Sequence, residues 1–365
     1  MSKSFYSLGL MSGTSMDGVD ASIIQSNGET KYKLILDKYF EYTADIFQDL
    51  TKLRYKINSS KDLKIFSKEV KNIEKKITLF HAKVANKILK KAKVKVDFIG
   101  LHGQTIYHNA KEKISKQLGD GKLLSQLTKK TVVCNFRQND LDHGGEGAPL
   151  APIFHKLLIN QKKLKTPIMI LNIGGIANWT LLGEGNDGKN LYSADVGPGN
   201  CLIDQWMRKN SKKNFDKDGS TAKSGNINKA ILNIGIDSFK RNRSYDIKDF
   251  DLSFINGLSL EDGAATLTEY TSYIISKAIN ALPEVKKVLV SGGGRKNKFL
   301  LKRISRKLKS SLQPIDNFAI DGDFIESQAF AYLAIRSFLK LPISFPETTG
   351  VKSPCTGGVI INFNL

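Results

Sequence analysis

Long apolar runs are missing from this chain. No stretch of its 365 residues reaches the roughly 20 consecutive apolar positions that a membrane-spanning helix requires. The first residues, "MSKSFYSLGLMSG", lack the apolar core of about 7–15 residues that marks a secretory signal, so the cytoplasm is the expected location. Cysteine is scarce: Cys134, Cys201 and Cys355 lie far apart with no CxxC pair. That argues against a disulfide framework or a zinc site and suits a reducing compartment. Acidic residues number 35 against 56 basic ones, a formal net charge of +21. Such an excess raises nucleic-acid or membrane-surface binding. Yet the lysines are spread along the chain, and the densest run, "KNKFLLKRISRKLK" (296–309), alternates with apolar residues as the solvated face of one helix does. No nucleic-acid or membrane partner is expected; the charge can steer anionic substrates.

Several signatures are missing too. There is no GxxxxGK[ST] string, no HExxH and no Ser/His/Asp nucleophile arrangement. The single GxGxxG string, Gly183–Gly188 in "GEGNDG", follows a strand but precedes no helix. It reads as a hairpin tip, not a dinucleotide site.

What is present is an ordinary globular composition, 41% hydrophobic and 25% charged, on a chain long enough for one large or two ordinary domains. Residues 5–25 read as strand, glycine-rich turn, strand, with a third strand at 32–42. Residues 60–93 have apolar positions at helical spacing. "VDFIGLHGQT" (96–105) and "TVVCNFR" (131–137) are buried-strand candidates running into polar turns, and "GGEGAPLAPIFHKLLI" (144–159) is a loop entering a helix. The pattern then restarts: strand, glycine pair, strand at 167–183; strand, turn, helix at 191–207, with Asn200 a candidate N-cap. A long helix follows at 261–281, then strand, triple glycine, helix at 285–304 and a helix at 326–339. Two halves that each open on a strand–glycine turn–strand hairpin imply two α/β lobes with a cleft between them. The boundary lies within 145–166 and is drawn at 150/151, giving an N-terminal lobe of 1–150 completed by 340–365 and a C-terminal lobe of 151–339.

Glycine turns suit phosphates because the backbone approaches closely and successive N–H groups point at one anion. In "GLMSGTSMDGVDA" (9–21), Ser12, Thr14 and Ser15 add hydroxyls beside Gly13 and Gly18, and Asp17 can hold magnesium through water. Taken alone, that turn is equally a hairpin tip. Matching turns at 172–178 (Gly174, Gly175) and 291–295 (Gly292, Gly293, Gly294) make coincidence less credible. In "ADVGPGN" (194–200), Asp195 ends an apolar strand beside glycines; it is either a base facing the cleft or a cap for the next helix. "GLHGQT" (100–105) offers His102, Gln104 and Thr105 for substrate hydrogen bonding. Arg137 suits a forked contact to a carboxylate or phosphate. Glu326 is either a site residue or an ordinary acidic helix start.

Together "GLMSGTSMDGVD", "GLHGQT", "GGEGAPLAPIFH", "LNIGGIANWT", "DVGPGN", "FDKDG" (215–219), "SGGGRKN" and "ESQAFAYLA" resemble, in order and over nearly the whole chain, the anhydro-N-acetylmuramic acid kinases. That family sits with acetate and sugar kinases, actin and the heat-shock chaperone ATPases. The resemblance implies a two-lobed, duplicated ribonuclease H-like fold, ATP with Mg2+ in the cleft, and a homodimer. It further implies hydrolytic opening and phosphorylation of 1,6-anhydro-N-acetylmuramic acid during peptidoglycan turnover; a hexosamine kinase without ring opening is the alternative. Asp195 matches the general base. Gly13, Thr14, Ser15 and Asp17 match the phosphate-side turn, Gly174 and Gly175 the second turn, and Gly292–Gly294 with Asn297 the nucleotide-side turn. His102, Gln104, Thr105, Arg137 and Glu326 match the sugar pocket. The chain departs from the family pattern at Asn135 in "CNFR", at Glu146, and at Asp142–His143, and 241–251 matches only loosely.

Overall fold

A computed structural model describes residues 3–184, 190–241, 244–282 and 285–363. Residues 185–188 of the Gly183–Gly188 string, and Asn242 and Arg243 of 241–251, lie outside the described residues. The chain forms two compact units, Met1–Leu164 with Phe324–Leu365, and Lys165–Asp323.

The first unit is built on β1 (Phe5–Ser12), β2 (Gly18–Ser26), β3 (Tyr32–Glu41), β4 (Phe98–Asn109), β5 (Ile114–Leu118), β6 (Thr131–Cys134) and β12 (Val359–Ile361), in the order β12-β6-β4-β1-β2-β3 with β5 beside β4. β1, β2 and β3 form an antiparallel meander, while β1, β4 and β6 run parallel. Leu8, Leu10, Val19, Ala21 and Ile23 pack with Leu50 and Leu53 of helix Ala44–Lys56 and Ile77, Ala85 and Ile88 of helix Ser67–Lys91. Against helix Ile325–Phe338 the sheet presents small residues. A Cβ on Gly9 would overlap the carbonyl oxygen of Ser327, and one on Gly100 that of Phe330, while the Ser22 and Ser327 hydroxyls meet at 2.6 Å.

The second unit repeats the order. β7 (Ile168–Ile173), β8 (Ile176–Leu182) and β9 (Leu191–Pro198) form an antiparallel meander; β10 (Lys287–Ser291) and β11 (Ser311–Pro314) extend it in parallel from β7, giving β11-β10-β7-β8-β9. Helices Cys201–Asn210 and Leu260–Asn280 cover it with Trp206, Met207, Leu267 and Ile275. Gly263 leaves space for the Trp206 indole, whose Nε1–H donates to the Leu260 carbonyl at 2.9 Å. A meander followed by parallel strands is the ribonuclease H-like order, here present twice, as the resemblance implied.

The units divide within the expected 145–166 interval, at 164/165 and not at 150/151. Helix Pro152–Gln161 belongs to the first unit because Phe154 packs on Tyr32 and Tyr332, and Gln161 donates to the Tyr32 carbonyl at 2.6 Å. The segment completing that unit begins at Phe324 and not at 340, because helix Ile325–Phe338 covers β1 and β4. In the basic run 296–309, Lys296, Lys298, Lys302, Arg306 and Lys309 are exposed as its pattern suggests. Its helix spans Lys298–Ser305, and Arg303 and Lys307 are paired with Glu269.

Candidate active site

The first turn, residues 13–17, joins β1 to β2. Gly13 is open: a Cβ there would meet nothing nearer than Ser15 Oγ at 3.9 Å. Thr14 is half-buried and Ser15 and Asp17 are exposed, with the Ser15 hydroxyl donating to the Asp17 carboxylate at 2.6 Å. Met16 has a left-handed φ of 58° and yet is buried in the unit's core. A non-glycine residue held in that region marks a turn that its surroundings over-determine. Ser12 and Gly18 differ from their neighbours. Ser12 is buried, its Oγ 2.8 Å from the Tyr42 hydroxyl, and Gly18 is small because Tyr39 and the Phe40 carbonyl occupy the space a side chain would need.

His102, Arg137 and Glu326 form one group in the same unit. Burial, then the charge of Arg137, hold His102 neutral, well below the ordinary histidine pKa. Its Nδ1–H therefore donates to the Gly103 carbonyl at 2.7 Å, and Nε2 accepts from Arg137 NH2 at 2.9 Å. The other arm of the guanidinium, NH1, donates to the Gly147 carbonyl at 2.8 Å. Burial raises the Glu326 carboxyl above its ordinary pKa, and Arg137 offsets part of that rise. Of the other two residues matched to the sugar pocket, Gln104 Nε2 donates to the Gly13 carbonyl at 2.9 Å, and Thr105 Oγ1 accepts from Gln117 on β5 at 3.2 Å.

The loop after Arg137 is fixed by a residue that pattern reading passed over. Asp140 is buried; its carboxylate accepts from Gly147 N at 2.7 Å and from the Thr349 hydroxyl at 2.6 Å. Gly147 is thus gripped at its carbonyl by Arg137 and at its amide by Asp140. Of the departures from the family pattern, Asn135 takes a left-handed φ of 55°, which asparagine tolerates well, and the Glu146 amide donates to Thr349 O at 2.8 Å.

In the second unit two glycine turns converge on Ile173, at the end of β7. Gly174 O accepts from Asn200 N at 2.8 Å and Gly175 O from Gly199 N at 2.9 Å. Asn200 Nδ2 donates to the Ile173 carbonyl at 3.3 Å, so this N-cap residue braces the turn and does not cap its helix by side chain. Gly294 leaves space for the Ile173 side chain, Gly292 has a φ of 76° against Asn172 and Ile173, and Gly293 is open. Asn297 caps helix Lys298–Ser305, its Oδ1 accepting from Leu300 N at 2.9 Å. The nucleotide-side turn is pinned by Arg295, which sequence reading also missed. This buried guanidinium donates to Asp316, Asp323 and Asp321, and to Gly292 O at 3.1 Å.

Asp195 lies on β9 opposite Asn178 of β8. It is half-buried, and its Oδ2 accepts from the Tyr245 amide at 3.0 Å. The helix-cap alternative is excluded, because helix Cys201–Asn210 starts from Asn200. The "FDKDG" stretch is structural in its first aspartate: Asp216 is buried and accepts from Thr221 N and Ala222 N at 2.8 and 2.9 Å. Among the described residues no group of three or more His, Cys, Asp or Glu side chains is placed to hold a metal ion, and no helix is long and apolar enough to cross a membrane.

Two copies of the ribonuclease H-like order, each with a glycine turn between its first two strands, define the actin-like class to which many sugar kinases belong. The sequence model for anhydro-N-acetylmuramic acid kinase matches residues 5–362. A curated anhydro-N-acetylmuramic acid kinase from Pelagibacter ubique is 56% identical, over 99% of this chain and 99% of that one. Another from Zymomonas mobilis is 39% identical, over 97% and 98% respectively. The chain belongs to the anhydro-N-acetylmuramic acid kinase family and is a kinase. Among solved structures, an activator of 2-hydroxyisocaproyl-CoA dehydratase from Clostridium difficile with bound ADPNP matches at a TM-score of 0.44 and 12% identity, over 92% of this chain and 96% of that one. A likeness that distant says nothing of this chain's chemistry.

Proposed function

We propose that this kinase uses ATP and water to open 1,6-anhydro-N-acetylmuramic acid and phosphorylate it, giving N-acetylmuramic acid 6-phosphate and ADP. We assign it to peptidoglycan recycling, as a homodimer in the cytoplasm, as its family resemblance implies. The observation that carries the hydrolytic half is the seating of Asp195, half-buried on β9 with its carboxylate oriented by the Tyr245 amide. A base must be held in one orientation before it can act on a particular proton.

In this reading Asp195 takes a proton from water while the water oxygen bonds the anomeric carbon. The bond from that carbon to the bridging oxygen at position 6 breaks, and its electron pair stays on that oxygen. The oxygen then bonds the γ-phosphorus as the bond to the β-phosphate oxygen breaks, releasing ADP. Base assistance of this kind contributes ~10²–10⁴ in rate, and the rest comes from alignment and charge stabilisation. Gly13, Thr14, Ser15, Gly174, Gly175 and Gly292–Gly294 are assigned to the phosphates, and His102, Arg137 and Glu326 to the sugar. Arg137 suits the lactyl carboxylate.

Magnesium fits the oxygen-only donors at the first turn: the exposed Asp17 carboxylate would hold it through water, and the ion would neutralise phosphate charge there.

Turnover of the anhydro sugar with ATP in ¹⁸O-water tests the reading. The anomeric hydroxyl of the product is expected to carry label above a control in which finished product stands in the same water. Label no higher than the control removes the ring-opening step and favours a hexosamine kinase.

A further inference from the structure

Beneath the first glycine turn lies a buried polar trio drawn from three elements. Ser12 ends β1, Tyr42 follows β3, and His81 sits on helix Ser67–Lys91. Ser12 Oγ is 2.8 Å from the Tyr42 hydroxyl and 3.1 Å from His81 Nε2, and the Tyr42 hydroxyl is 3.5 Å from the same nitrogen. All three side chains are buried, His81 at 0% exposure, and burial lowers the His81 pKa to about 4, so the ring is neutral.

Proton bookkeeping within the trio gives a direction. His81 Nδ1 makes no hydrogen bond. If Nε2 carried the proton, the hydroxyl hydrogen of either Tyr42 or Ser12 would be stranded and Nδ1 would have an unmet lone pair. If Nδ1 carries it, Tyr42 donates to Ser12, Ser12 donates to Nε2, and one N–H alone goes unmet. The second arrangement strands fewer polar groups, and a buried polar group left without a partner is destabilising. The Ser12 hydroxyl is therefore consumed inside the protein and has no proton left for a phosphate.

The trio belongs to a larger frame around the turn. The Tyr42 amide donates to the Asp17 carbonyl at 2.8 Å, so Tyr42 grips the turn on both flanks. Gln104 holds the Gly13 carbonyl and the Met16 side chain is sunk in the core. These bonds consume carbonyls and the Ser12 hydroxyl, and none of them uses the amides of Thr14 or Ser15.

We propose that Tyr42 and His81 are positioning residues for nucleotide binding, which hold Ser12 and Asp17 so that the Thr14 and Ser15 amides keep the geometry that receives phosphate. The proposal rests on reading this turn as the phosphate-side turn. The test uses the whole chain and variants Tyr42→Phe, His81→Leu and His81→Gln. Calorimetry without sugar gives ADP affinity, and steady-state kinetics gives KM for ATP, KM for the sugar and kcat.

Tyr42→Phe and His81→Leu are expected to weaken ADP binding and raise KM for ATP about five- to thirtyfold, with kcat at saturating ATP and KM for the sugar within about twofold. His81→Gln, which restores an acceptor to Ser12, should recover most of the affinity. A fall in Tm with ADP affinity and KM for ATP unchanged would overturn the proposal and leave the trio as packing alone. Should His81→Leu not fold, Tyr42→Phe, which deletes one oxygen, decides the matter. A wild type that binds ADP but leaves the anhydro sugar untouched refutes the proposed reaction, and the calorimetric comparison then still judges the trio.

Discussion

The carboxylate of Asp195 accepts from Tyr245 N, and an asparagine in its place can keep that bond while losing the charge that makes a base. Asp195→Asn is therefore expected to bind ATP normally and lose about 10²–10⁴ in kcat, measured as ADP release on the anhydro sugar. Glu326 offers a contrasting case. Its folded-state pKa is raised, so the charged form is disfavoured in the fold and its stability contribution falls as pH rises through that pKa. Glu326→Gln should raise Tm more at pH 8 than at pH 5 while KM for the sugar rises. A gain that does not depend on pH would refute the burial argument. At this scale the sequence was informative about residue types but not about partners. Gly13 and Gly293 face open space as a phosphate turn needs, whereas Gly18 and Gly294 are small to admit Tyr39 and Ile173. Ser12 meets residues 30 and 69 positions away, and Asp140 meets Thr349, distances along the chain that no local pattern encodes.

Among elements, helix Ile325–Phe338 depends on glycines in the strands beneath it. Gly100→Ala would drive a methyl group into the Phe330 carbonyl, and backbone on both sides cannot yield as a flexible side chain would. We expect it to destabilise the first unit by about 1–3 kcal/mol or more, seen as a lower urea midpoint. Gly257→Ala is the control for a glycine with nothing within 4 Å, although its φ of 73° carries a smaller strain of its own. The strands of both meanders were readable here, because the glycine turns punctuate them, whereas helices Ala44–Lys56, Gly121–Thr128 and Lys229–Ser238 and strands β11 and β12 were not read. The unit that helix Ile325–Phe338 joins was not readable either, since a nearly all-buried helix has no polar face to say which sheet it covers. The β5 strand went unread because its five residues lack a clear alternation of apolar positions.

For the molecule as a whole, pH should act through buried histidines. Burial lowers His81 and His155 to about 4, and His102 is also held well below its ordinary value. Each stays neutral in the fold but charges in the unfolded chain below about pH 6.5. Stability is therefore present above 6.5 and is lost as pH falls toward 4, by about 1.4 kcal/mol per pH unit for each histidine at most; Glu326 works in the opposite sense. Tm followed from pH 7.5 to 4.5 should fall steeply, and His155→Gln should flatten the fall. Equal slopes in both proteins would remove His155 from this account.

The first unit is made from both ends of the sequence, with the second unit inserted between Leu164 and Lys165 on one side and Asp323 and Phe324 on the other. During synthesis this imposes an order. Residues 165–323 are contiguous and can fold once they leave the ribosome, but β1 and β4 stay uncovered on their glycine face until helix Ile325–Phe338 has been made. At about 5–20 residues per second, the leading 164 residues wait roughly 10–40 seconds for their final helix. A chain truncated before residue 325 and released from the ribosome should therefore hold a folded second unit and a first unit open to protease, although the latter is translated first.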